Sequence, residues 1–223
     1  MNDFRISSVR ALIFDLDGTL IDSKLDLIHS VNAMLRQLGR PELHHEVIAG
    51  YIGRGAAFLV AQALGQNASE ADQKHGLQFF LNHYEEHKLD NTCAYPGVSE
   101  SLEKLASFPM AVLTNKPERI SIRILDGLRL TKYFRIVYGG NTFQTKKPDP
   151  EGARAILKEF GVAPHEVLLV GDSDVDIETA RNAGTLAAAA TYGFGVRNPV
   201  AYPADIDLDG FGDLATAFLE RRP

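Results

Sequence analysis

The chain of 223 residues has no tryptophan and a single cysteine, Cys93. One cysteine cannot form an internal disulfide, so a disulfide framework is excluded and a reducing compartment is compatible with the sequence. No run of about 18 apolar residues occurs, so no membrane-spanning helix is expected. The first residues also lack the basic and then apolar pattern of a secretory signal. We therefore expect a cytoplasmic protein without a membrane partner.

Positive charge is also scarce in this chain. Lysine and arginine number 23 against 29 aspartates and glutamates, which gives a formal net charge of -6. Binding to a nucleic-acid backbone depends on neutralising phosphates, so we expect no nucleic-acid partner. An anionic substrate would have to be attracted by a local positive site. The composition, 45% hydrophobic and 23% charged, is that of a globular protein with a substantial core.

An apolar run at residues 11–14 is followed directly by the motif DLDGT, residues 15–19. Short apolar runs bounded by turn residues are typical of buried parallel strands, and such sheets place their chemistry beyond the carboxyl ends of the strands. Asp15 could attack phosphorus, and Asp17 could protonate the leaving oxygen and later deprotonate water. The same residues would also suit an ordinary strand-to-turn junction.

Three later apolar runs end in polar residues in the same way. One ends in Thr114 and Asn115, which offer neutral hydrogen-bond donors suited to phosphoryl oxygens. Another leads to Lys146 and Lys147, and a third ends in the acidic cluster GDSDVD, residues 171–176. At one edge of a sheet these segments would supply a nucleophile, an acid, oxygen donors, a cation and metal ligands.

In order and kind, these four motifs resemble those of the haloacid dehalogenase superfamily of aspartyl-phosphate phosphatases. The family pattern is Asp-x-Asp-Gly-Thr, then a Ser or Thr after the second strand, a Lys, and Gly-Asp-x-x-x-Asp. Here these elements are residues 15–19, Thr114, Lys147 and residues 171–176. The phosphoglycolate phosphatase branch is the most similar one, on the local sequences YIGRGA (51–56), KPDP (147–150) and TYGFG (191–195).

The resemblance implies a phosphatase that acts on a small phosphorylated metabolite, with 2-phosphoglycolate as the expected substrate. Asp15, Asp17, Thr114 and Lys147 are then the expected catalytic residues. Lys147 is preferred to Lys146 because it matches the family position and adjoins a proline.

A divalent cation would offset the repulsion between Asp15 and a dianionic phosphate. Magnesium prefers a few carboxylate oxygens together with phosphate and water, which Asp15, the backbone carbonyl of Asp17 and Asp172 could supply. We expect Asp176 and Ser173 to act behind these ligands, Asp176 through water. Mg²⁺ is the expected cofactor.

Substrate contacts are expected from Asn115, from the backbone near Gly18 and from the turn formed by Gly53 and Arg54. The planar guanidinium of Arg54 could bind a substrate carboxylate. An exposed arginine in a glycine-containing turn is an equally good interpretation. Lys116 is expected to lie at the surface.

The alternation of strands and helices after residue 94 predicts an α/β fold with a doubly wound parallel sheet, the Rossmann-like core of this superfamily. The core is expected to comprise residues 1–22 and 94–223. Residues 23–93 show helical spacing and are expected to form a small α-helical cap domain. That cap could move over the site as a lid or pack permanently against the core.

Within the cap, helices are predicted from about residue 25 to 38, over 56–64 and from 69 to about 87, with a loop at residues 44–45. The last helix of the core is predicted over residues 213–221. A phosphomutase, a pyrophosphatase and a non-catalytic protein that binds phosphorylated metabolites remain open alternatives. So do a monomer and a homodimer.

Overall fold

Eight strands occur in the part of the chain that this computed structural model describes, residues 7–195 and 197–219. They are β1 (Ala11–Phe14), β2 (Ile21–Asp22), β3 (Cys93–Ala94), β4 (Met110–Leu113), β5 (Ile136–Tyr138), β6 (Val167–Gly171), β7 (Leu186–Ala190) and β8 (Ile206–Leu208). Six of them form one sheet in the order β5-β4-β1-β6-β7-β8, with every neighbouring pair parallel.

Helices connect these strands. Four lie between β2 and β3: α1 (Lys24–Gln37), α2 (His45–Ala49), α3 (Ala56–Leu64) and α4 (Glu70–His87). Those that follow are α5 (Val98–Lys104), α6 (Glu118–Gly127), α7 (Glu151–Phe160), α8 (Asp174–Ala183) and α9 (Phe211–Leu219). We call the segment between β2 and β3 the helical insert. Among the described residues, no helix is long and apolar enough to cross a bilayer.

The sheet is covered on both faces, which explains why its central strands are continuous apolar runs. Leu12 and Phe14 of β1 belong to a core layer that includes residues of α5, α6 and α9. Ala11 and Ile13 point the other way, into a second layer with residues of α7 and α8. The doubly wound parallel sheet predicted from the sequence is therefore confirmed.

One local prediction is wrong. Residues 44–45 were predicted as a loop, but the short helix α2 begins at His45, and Ile48 is its one buried residue. A helix of five residues is too short to show an apolar period. The last helix was predicted from about residue 213 and begins at Phe211, which is buried in the core. Its predicted end at residue 221 lies outside the described residues.

The helical insert leaves and rejoins the core at one place. Strands β2 and β3 pair antiparallel, with Ile21 opposite Ala94. Just beyond them, the buried Asp26 carboxylate accepts hydrogen bonds from the backbone and side chains of Asn91 and Thr92, at 2.7–3.0 Å. Hydrogen bonds to one carboxylate therefore join the two segments that connect the insert to the core.

This contact predicts the effect of Asp26→Asn. Burial alone would raise the pKa of Asp26, but hydrogen bonds from Thr92 and Asn91 outweigh it and hold the pKa below its usual value. Ionised Asp26 therefore stabilises the fold above the unfolded pKa of about 3.9, and this contribution is lost as the pH falls through the lower folded pKa. We expect the variant to lose about 2 kcal/mol of unfolding free energy near pH 7, since its buried donors lose a charged acceptor.

Urea unfolding at neutral and acidic pH measures this loss, which should shrink on acidification. Asp90→Asn is the matched control, because Asp90 is exposed and one residue from Asn91, with only a surface contact to His87. Equal stability of Asp26→Asn and wild type at neutral pH would contradict the interpretation.

Candidate active site

Three adjacent strands deliver the predicted residues to one edge of the sheet. β1 lies between β4 and β6, with Phe14 opposite both Val112 and Val170. Asp15 follows β1, Thr114 follows β4, and Asp172 follows β6, so these side chains meet at the carboxyl ends of the strands. The loop between β5 and α7 adds Lys147.

Buried carboxylates and one lysine form the centre of the site. Asp15, Asp172 and Asp176 each offer a carboxylate oxygen, and these oxygens lie within 4.8 Å of one another. The Lys147 ammonium lies 2.9 Å from Asp15 Oδ1 and 2.6 Å from Asp176 Oδ1. The other oxygen of Asp176 accepts hydrogen bonds from the backbone and hydroxyl of Ser173, at 3.0 and 2.6 Å. Asp176 thus ties the start of α8 to Lys147.

Glycine makes room for Asp172. Backbone amides of Phe194 and Gly195 donate to Asp172 Oδ2 at 3.1 and 2.6 Å. On its other side is Gly18, where a Cβ would lie only 1.8 Å from the same oxygen. Gly18 also has a φ of 80°, a conformation that favours glycine. The glycine of the DGT motif is therefore required by both backbone geometry and space.

The charges of this cluster are not balanced by the protein. Burial raises the pKa of Asp15 to about 6, against the opposing effect of Lys147. Burial, with the negative charges of Asp176 and Asp15, raises the pKa of Asp172 well above its usual value. Burial alone would lower the pKa of Lys147, but Asp15 and Asp176 outweigh it and raise the pKa. Three carboxylates share one ammonium, and hard oxygen donors of this kind fit Mg²⁺.

Asp17 has separate surroundings. Its two carboxylate oxygens each lie 2.7 Å from the Lys116 ammonium, and the Ser23 hydroxyl donates to Oδ1 at 2.5 Å. Lys116 was expected at the surface, and that expectation is wrong, because its side chain is only 4% exposed. The ammonium also lies 4.6 Å from the ring centroid of Tyr84, which α4 of the helical insert contributes.

The order of the strands explains why Lys116 is buried at the site. Since β4 is paired with β1, residues just after β4 face those just after β1. Lys116 follows Thr114 by two residues and so lies beside Asp17, whose charge requires a partner in a buried site. The sequence contains both residues but does not give the order of the strands.

The predicted substrate contacts differ in where the structure places them. The Asn115 amide donates to the backbone oxygens of Gly53 and Lys147, at 3.0 Å each, and so links the helical insert to the core. Thr114 is buried, and its hydroxyl accepts from the Lys116 amide at 3.3 Å. Arg54 is exposed, with its guanidinium 5.5 Å from the ring centroid of Phe58. The roles of these residues toward substrate stay predictions.

A small cavity of about 40 Å³ lies between the core and the helical insert. Core residues on its wall include Asp15, Asp17, Thr114 and Lys116. The insert contributes mainly apolar side chains: Leu27, Ile52, Ala56, Leu59, Phe80, Leu81 and Tyr84. Apolar side chains of the insert therefore lie across the cavity from the two carboxylates of the DLDGT motif.

Comparison with known proteins places this arrangement in a family. Residues 12–190 match the family model of haloacid dehalogenase-like hydrolases. The chain belongs to that family. This confirms the superfamily assignment made from the four motifs.

Relatives of this hydrolase also support the predicted branch. A phosphoglycolate phosphatase from Pseudomonas syringae pv. tomato is 41% identical over 199 residues, 86% of this chain and 73% of that protein. One from Chromobacterium violaceum is 36% identical over 215 residues, 94% of this chain and 96% of that protein. The crystal structure of a predicted phosphoglycolate phosphatase from Haemophilus somnus has a TM-score of 0.87 at 30% identity, covering 94% of this chain and 97% of that one.

Gly18→Ala tests the packing around Asp172 in this hydrolase. Gly39→Ala is its matched control, because Gly39 has a φ of 66° and no atom lies within 4 Å of the place that a Cβ would take there. The control should lose only about 1–2 kcal/mol for placing alanine in a left-handed conformation. Gly18→Ala should lose clearly more unfolding free energy in urea, since Asp172 must also move. Equal losses would contradict the predicted steric role.

Asp15→Asn tests the electrostatics of the cluster. The folded pKa of Asp15, about 6, lies above the unfolded value of about 3.9, so charging this group costs stability. The cost is present above pH 6 and vanishes below the unfolded pKa. In chelator, the variant should therefore be more stable than wild type near pH 8, and the difference should close on acidification. Thermal unfolding across this pH range measures it, and a difference that widens in acid would contradict the assignment.

Proposed function

We propose that this hydrolase is a magnesium-dependent phosphatase for a small phosphomonoester, with 2-phosphoglycolate as the favoured substrate, acting through an aspartyl-phosphate on Asp15. The observation that carries the proposal is the separation of the two carboxylates of one motif. Both line the cavity, but Asp15 lies in the acidic cluster with Lys147, whereas Asp17 lies beside Lys116. The relatives named phosphoglycolate phosphatase support the same class of reaction.

In the first step, an Asp15 oxygen forms a bond to phosphorus as the bond from phosphorus to the ester oxygen breaks. Asp17 gives its proton to the departing oxygen, which leaves as an alcohol. In the second step, Asp17 takes a proton from water, whose oxygen attacks phosphorus and releases Asp15 and inorganic phosphate. Asp17 faces the cavity that would hold the leaving group, which suits both proton transfers.

Lys147 and a bound metal would offset the negative charge of the phosphoryl group. Asp15, Asp172 and the backbone carbonyl of Asp17 would hold Mg²⁺, which offsets the negative charge of the phosphoryl group when bound. Lys147 neutralises part of the same charge, and Asp176 keeps its ammonium 2.9 Å from Asp15. Thr114, at the end of β4, would donate to a phosphoryl oxygen.

We further propose that residues 23–93 form a cap domain on a catalytic core made of residues 1–22 and 94–223. The apolar side chains that this segment places over Asp15 and Asp17 would exclude bulk water during the reaction. A cytoplasmic location, and the choice between a monomer and a homodimer, stay predictions.

A phosphate-release screen over small phosphoesters, with magnesium and with chelator, tests the proposed function. Wild type should release phosphate only with magnesium, and Asp15→Asn should lower turnover by at least about 10³-fold, since it removes the nucleophile. Asp174→Asn is the matched control, because Asp174 belongs to the same acidic motif but accepts a hydrogen bond from the Asn198 amide at 2.8 Å. The control should keep most of the activity.

Mass analysis of rapidly quenched wild type should find a phosphoryl adduct on Asp15. Turnover by Asp15→Asn at the wild-type rate would reject the nucleophile. Saturable binding of phosphoesters without phosphate release would reject a phosphatase.

A further inference from the structure

The cavity above Asp17 is poor in positive charge. Among the described residues that line it, Lys116 is the only cation, alongside the carboxylates of Asp15 and Asp17. Leu59, Phe80 and other apolar side chains of the helical insert form the opposite wall. A negatively charged leaving group in this cavity would lose its hydration and meet no cation from the insert, which is costly unless a cation of the core meets it.

Lys116 is held in place to meet such a group. Its ammonium has three donors, and the two oxygens of Asp17, each 2.7 Å away, account for two of them. The Tyr84 ring, 4.6 Å from the ammonium, holds the cation from a further side. The Lys116 side chain is only 4% exposed, so these contacts hold its ammonium inside the site.

Because the Lys116 ammonium lies beside Asp17, it can contact a charge on the leaving group only at certain atoms. Asp17 donates to the ester oxygen in the proposed function, so the Lys116 ammonium lies one short contact from that oxygen. If the carbon bonded to the ester oxygen also carries a carboxylate, covalent geometry places the carboxylate oxygens roughly 3 Å from the ester oxygen. The cavity is small, about 40 Å³, which favours a leaving group of few atoms.

We infer that Lys116 is a specificity-determining residue that binds the leaving-group carboxylate and so selects phosphomonoesters of short 2-hydroxy acids. The inference rests on the proposed function and adds to it the residue that recognises the carboxylate of the substrate. It also separates this role from Arg54, which is exposed and lies beside Phe58.

The test compares two substrates in one enzyme. 2-Phosphoglycolate carries the carboxylate, and its carboxyl methyl ester keeps the same phosphoryl group and ester carbon without the charge. Wild type should prefer the acid in kcat/KM. In Lys116→Met this preference should fall by about 10- to 100-fold, the effect of losing one charge-assisted hydrogen bond. Lys116→Arg should restore part of it.

The ratio of the two substrates separates specificity from general damage. Loss of the partner of Asp17 should slow both reactions, but only lost carboxylate binding changes their ratio. Lys158→Met is the matched control, because Lys158 is exposed on α7 and does not line the cavity, so this variant removes the same charge elsewhere. Its substrate ratio should equal that of wild type.

Several results would overturn the inference. Equal losses on both substrates in Lys116→Met would reduce Lys116 to a positioning residue for Asp17. A wild-type enzyme that hydrolyses the acid and the ester equally well would overturn the inference without any variant, so the test survives if Lys116→Met does not fold. If wild type hydrolyses no phosphomonoester at all, the proposed function itself fails, which is a different result.

Discussion

Buried negative charge at the ends of two neighbouring strands and in the helix that follows one of them is the constraint on which the site depends. Asp15 and Asp172 follow β1 and β6, and Asp176 lies in the first turn of α8. A parallel sheet brings such strand ends together whatever their charge, so the cluster would repel itself without compensation. Lys147, Ser173 and the amides after β7 supply part of that compensation. The negative charge that stays uncompensated fits the site to a divalent cation.

Two lysines from different loops give the two motif carboxylates different surroundings. Lys147 pairs with Asp15 inside the cluster, and Lys116 pairs with Asp17 at the cavity. The two aspartates have these different partners although only the fully buried Leu16 stands between them in the sequence. The difference in surroundings, more than the residue type, distinguishes a nucleophile from an acid.

The features visible in the sequence are those that depend on local pattern. The apolar run before Asp15, the helix over residues 56–64 and the acidic cluster before α8 follow from periodicity, punctuation and motif spacing. Lys116 could not be placed, since its partner is 99 residues away in the chain and meets it only once β4 pairs with β1. The contact of Asn115 with Gly53 is hidden for the same reason, because it depends on how the insert sits on the core.

The antiparallel pairing of β2 and β3 has a consequence for the history of the chain. The two connections of the insert lie side by side and are joined by Asp26. The whole intervening segment is therefore a closed loop whose two ends leave the sheet at one place. The entropic cost of such a loop grows only slowly with its length. Segments of very different size could therefore be exchanged at this junction during evolution, while the strand order and the acidic edge of the sheet stayed as they are.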